Sequence, residues 1–74
     1  MSNEQASLPA QWAERYDNVA RSAATLPGGH MLIVLSVNAL LQSNEEGEVS
    51  DEITLARLRH LLRSYMHYNT EVSE

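Results

Sequence analysis

The chain has 74 residues and a net charge of −5, set by ten acidic side chains against five basic ones, all arginine. A chain of that length holds one domain with a thin core, and with no cysteine to reinforce it by disulfides, oligomerisation is the remaining remedy. The acidic balance repels a phosphate backbone overall and favours basic partners, including the basic faces of nucleic-acid-binding proteins.

Residues 1–7 are polar and small with no period, and are expected to form a mobile tail. The opening MSNEQAS carries an acid and lacks the basic stretch ahead of an apolar run that a secretory leader needs. Together with the absence of cysteine, this sets the expectation of a cytoplasmic protein. Ser7 is placed to cap a helix with Pro9 in its first turn. That helix is predicted over about residues 8–25, with Leu8, Trp12, Tyr16, Val19, Ala20 and Ala23 on one side and Glu14, Arg15, Asp17, Asn18 and Arg21 on the other. Trp12 reads as a core anchor, with a ligand platform as the competing use. Leu26-Pro27-Gly28-Gly29 ends the helix, because proline cannot continue it and glycine accepts left-handed backbone angles. The glycine pattern is too short for a phosphate cradle and no Lys or Ser/Thr follows it.

The next stretch, Gly29 to Ser43 (GHMLIVLSVNALLQS), is apolar almost all the way round. On a helical wheel Met31, Val34 and Leu41 line one face, Leu32, Leu35 and Ala39 a second, and Ile33, Val37 and Leu40 a third. No single neighbour covers three faces, so the helix is expected to be shared between two protomers, with Met31, Val34, Val37, Asn38 and Leu41 at the dimer interface. The β-branched residues of MLIVLSV also suit a strand, but the length and the continuation NALLQS favour a helix. Asn38 either fixes register between paired helices or faces water. The apolar run falls short of the roughly 20 residues that span a bilayer.

Residues 44–52 (NEEGEVSDE) gather five acids around Gly47. Aligned on that glycine, a calcium-binding helix–loop–helix would begin at Gln42 and end at Ile53, where it needs an aspartate and a bidentate glutamate. The better reading is a solvated turn in which Ser50 caps the next helix, with Asp51 and Glu52 at its positive end. The last helix, about residues 51–68, has Leu55, Leu58, Leu62 and Tyr65 at 3-4-3 spacing, a seam for packing on the central helix. Arg59, Arg63 and His67 share an exposed face, with Arg57 and His60 nearby. Residues 69–74 are expected to fray.

No set of nucleophile, base and orienting group stands out, so no catalytic residue, metal or cofactor is expected. His60 and His67 lie about two turns apart on one helix, too far to share a metal unaided. His30 opens the central helix and is expected to face the turn. Glu14 and Asp17, one turn apart, read as an exposed acidic face. DNA binding through Arg57, Arg59 and Arg63 is the alternative, but a recognition helix presents basic groups at its N-terminal end. Here that end is Ser50-Asp51-Glu52. Protein binding remains, and Arg57, Arg59, Arg63, Tyr65, Tyr68 and Trp12 are of the types enriched at interface hot spots.

A short acidic chain without cysteine or lysine, carrying a helix, an apolar helix and an Arg/Leu helix such as ITLARLRHLLRSYMHY, resembles the small helical inhibitors that bacteriophages make against host proteins. Within that group the layout from Gln11 to Tyr68 is similar to the anti-quorum-sensing inhibitors of Pseudomonas phages. The resemblance implies a dimer in the host cytoplasm that binds the DNA-binding region of a transcription regulator, or an ATPase; it carries no site residues across. The reading is therefore an all-α domain over residues 8–68, a helical hairpin with an N-terminal helix, dimerised through the central apolar helix. Its expected role is a protein-binding inhibitor or adaptor with no nucleic-acid or membrane partner; the alternative is a dimeric helical DNA-binding transcriptional regulator.

Overall fold

A computed structural model describes residues 9–73, which fold as three helices, α1 (Ala10–Thr25), α2 (His30–Glu45) and α3 (Asp51–Ser73), with no strand among the described residues. Leu8 and Ser7, the expected cap, lie outside the described residues, as does the expected tail over residues 1–7. Pro9 precedes the first turn of α1 rather than sitting within it. Its carbonyl accepts the Trp12 and Ala13 amides at 3.0 and 3.1 Å.

The α1–α2 connection follows from its residues. Leu26 accepts a hydrogen bond from the Gly29 amide at 2.9 Å across Pro27 and Gly28, and Gly28 has φ +69°. Proline before a glycine at positive φ is the residue pattern of a type II turn. Gly29 itself is buried with an ordinary helical φ of −63°, and its reason is different. A Cβ there would overlap the Ala23 carbonyl, standing 2.8 Å from its carbon, so glycine lets the start of α2 press on the last turn of α1.

The second connection is held by its own polar groups. Asn44 donates its amide to the Val49 carbonyl at 3.0 Å and to the Asp51 carboxylate at 2.7 Å. Gly47 turns the chain at φ +82°, and Ser50 Oγ accepts the Ile53 amide at 3.2 Å as the expected helix cap. Asp51 and Glu52 follow in the first turn of α3, where the helix dipole favours negative charge.

The core is a small cluster of Tyr16, Ala20 and Ala23 from α1, Ile33 and Leu40 from α2, and Leu61 from α3. Trp12, Val19, Val37, Leu58, Tyr65 and Tyr68 close around it. Three expectations for α3 are corrected. Its main partner is α1, not the central helix. The inward row is Leu58, Leu61, Tyr65 and Tyr68, while Leu55 and Leu62 are turned to solvent. The doublet Leu61-Leu62 allows two 3-4-3 frames that share Leu58 and Tyr65, and packing on α1 selects the one through Leu61. The helix also continues to Ser73 instead of fraying after Tyr68. No glycine or proline interrupts Asn69 to Ser73, and the packed Tyr68 anchors the turn before it.

Candidate protein-interaction surface

Helix α2 meets its own chain with one face only. Ile33 and Leu40 are buried and Val37 packs beside them, so the third of the three apolar faces is enclosed within a single chain. Val37 therefore turns to the interior and not to a partner, a correction to its place among the interface residues. The other two faces lie open. Leu35 is 59%, Val34 52% and Met31 49% exposed, and Leu41 and Leu32 are exposed as well. Asn38 sits in the same outward row, itself exposed. Five large apolar side chains on one helix, interrupted by a single amide, make a contiguous apolar surface of the kind that marks an interaction site. Leu35, missed among the expected interface residues, is the most exposed of them, and its i+4 spacing from Met31 was the available signal.

Helix α3 presents a second outward row. Leu55, Arg59, Leu62 and Met66 recur at spacings of four, three and four, which place them on one side of the helix. Arg63 and His67 are exposed next to this row. No described arginine has a carboxylate within salt-bridge distance among the described residues, so the guanidinium groups of Arg59 and Arg63 are available to a partner.

The aromatic members of the expected binding set are half-buried within the chain. Tyr65 and Tyr68 are half-buried against the core, with the Arg21 guanidinium 6.0 Å from the centre of the Tyr68 ring. Trp12 stacks on Tyr16 at 6.1 Å with an interplanar angle of 21°, and the Arg57 guanidinium lies over the indole at 4.0 Å. Arg57 is thus half-buried on α1 and separated from the exposed Arg59–Arg63 pair.

A polar cluster between α1 and α3 was not expected. Asp17 Oδ1 accepts the Ser64 hydroxyl at 2.6 Å and lies 3.0 Å from His60 Nε2. His60 and Ser64 are one turn apart on α3 and both reach the same Asp17 carboxylate oxygen. The three residue types are those of a nucleophilic relay, but the arrangement is not. The serine proton is committed to Asp17 and the serine makes no bond to the imidazole, whereas a relay needs the hydroxyl on the base. The cluster instead fixes the register of α3 on α1. Among the described residues no group of three or more His, Cys, Asp or Glu side chains is placed to hold a metal ion. No described helix is long and apolar enough to cross a membrane.

No family model, curated protein or solved structure matches the chain.

Proposed function

We propose that the chain is a small homodimeric protein-binding module that sequesters another protein as an inhibitor or adaptor. The observation that supports this most directly is the outward row of Met31, Val34, Leu35 and Leu41 on α2, left open by the other two described helices. A second copy is the simplest cover, because a two-fold axis brings the same apolar row against itself. The dimer then displays two acidic connections, each with Glu45, Glu46 and Glu48 exposed, and two exposed Arg59–Arg63 pairs. The net charge of −5 suits a partner with a basic surface, and the DNA-binding region of a transcription regulator is such a surface; an ATPase is the other partner class.

Affinity capture from a bacterial lysate, in parallel with Arg59→Glu/Arg63→Glu, tests the reading. The wild type is expected to enrich a protein that the double variant does not, and to release that protein from its DNA in a gel shift. Failure to enrich any protein that the double variant loses counts against it. The exposed, carboxylate-free Arg59 and Arg63 support a second reading, direct binding to DNA. A wild-type band shift on random duplex at low salt, lost in the double variant, would select it.

A further inference from the structure

Beside the apolar row, α1 and α2 enclose an open groove of about 290 Å³, lined on one side by Trp12, Arg15, Tyr16 and Val19, on the other by Ser36, Ala39, Leu40 and Ser43, and closed at one end by Arg57 of α3. We propose that this groove binds an acidic side chain of a partner polypeptide, its carboxylate held by Arg57 and Arg15.

Three observations converge on a carboxylate. No acid among the described residues lines the groove, although acids outnumber bases ten to five in the chain, so two of the five arginines are concentrated where no described carboxylate neutralises them. The Arg57 Nε is buried with no hydrogen-bond partner. The Arg57 guanidinium stacks on the Trp12 ring at 4.0 Å and that of Arg15 lies 5.2 Å from the same ring. Stacking occupies the face of a guanidinium and leaves its in-plane N–H donors free, in the fork that matches a carboxylate. The hydroxyls of Ser36 and Ser43 have no hydrogen-bond partner among the described residues and add two further donors.

The volume decides between a side chain and a whole small molecule. Cavities that enclose metabolites run from about 300 to 1,000 Å³ and cover most of the ligand. This groove is at the lower limit and open along its length, so it accommodates one side chain of a longer chain passing over it.

Trp12 is the single tryptophan and lines this groove, so its emission responds to binding there. The probe is an acetylated and amidated leucine–glutamate–leucine tripeptide, titrated against the full chain in parallel with its glutamine counterpart and with inorganic phosphate. The glutamate peptide is expected to change the emission saturably, at a midpoint about tenfold or more below that of the glutamine peptide, the ratio given by one charge-assisted hydrogen-bonded pair. Arg15→Gln is expected to weaken the glutamate peptide about tenfold and to leave the glutamine peptide unchanged. Arg57→Lys keeps the charge and loses the fork, and is expected to fall between wild type and Arg15→Gln. Circular dichroism on each variant separates loss of binding from loss of fold. Equal midpoints for the two peptides, no saturable response to either, or phosphate binding as tightly as the glutamate peptide would overturn the proposal. The groove is lined by residues of one chain, and repeating the titration on Leu35→Glu reads it without a second copy over α2.

Discussion

Replacing Leu35 by glutamate separates a helix face that meets water from one that meets a second copy. Glutamate and leucine have similar helix propensity, so the substitution leaves α2 itself almost unchanged. If Leu35 faces only solvent, the stability of the chain moves by no more than about 0.5 kcal/mol, as for other surface changes. If a second copy covers it, the sum is different. Leu35 is 59% exposed in the single chain, and full burial of a leucine is worth about 1.5–3 kcal/mol, so covering the exposed part contributes about 1–2 kcal/mol per copy. A symmetric contact loses this twice, about 2–4 kcal/mol, before the cost of bringing a carboxylate into the interface. At about 1.4 kcal/mol per factor of ten, the dimer dissociation constant rises roughly thirtyfold to nearly a thousandfold. Size-exclusion light scattering over a hundredfold range of protein concentration, with circular dichroism on the same samples, measures both terms. Leu35→Glu is expected to shift from dimer to monomer with its helix content intact. A variant that keeps the wild-type mass at every concentration would refute the reasoning, because a buried leucine contact cannot be exchanged for a charge at no cost. Ile33→Ala is the control inside the chain, expected to lower stability by about 2–5 kcal/mol through a cavity in the core.

Gly29→Ala is expected to destabilise by about 1–3 kcal/mol, lowering the melting temperature by several degrees or more, because its Cβ meets the Ala23 backbone and not a side chain that can move; a melting temperature equal to wild type would contradict the close approach of α1 and α2. Gly28→Asn is the comparison, expected to be milder because the site has open space and asparagine tolerates positive φ. Thr54 is buried with its hydroxyl unpartnered, so the isosteric Thr54→Val is expected to stabilise by about 1 kcal/mol in urea denaturation, and a loss of stability would reveal a partner for that hydroxyl. Asp17→Ala removes both hydrogen bonds of the α1–α3 clamp and is expected to cost about 1–2 kcal/mol, toward the lower end because His60 and Asp17 are each about a third exposed to water. Added to Asp17→Ala, Ser64→Ala is expected to cost little more; full additivity in this double-mutant cycle would dissolve the clamp.

Much of the fold is legible in the residues. Pro27-Gly28 and Gly47 punctuate the chain with the conformations that only such residues take readily, and the three helices lie between them as the apolar periods require. What the pattern leaves open is which of several equivalent apolar rows is used. In α2 three faces are equally oily, and composition alone does not say that Ile33, Val37 and Leu40 are the enclosed set. In α3 the doublet Leu61-Leu62 supports two frames, and the choice comes from contacts made far away in sequence, including the bond between Ser64 and Asp17. The polar sites were harder to see for the same reason. Asp17 and Arg57 look like surface charges when each is placed on its own helix. Only the packing of α3 on α1 sets the first beside His60 and the second over Trp12.

The proposed covering of the apolar face of α2 by a second copy is tested most directly by sedimentation equilibrium of the wild-type chain at micromolar concentration. The expected result is a mass of twice the 8.3 kDa of one chain, dissociating only on dilution. A mass of 8.3 kDa at every concentration, from a protein that still unfolds cooperatively, would contradict it.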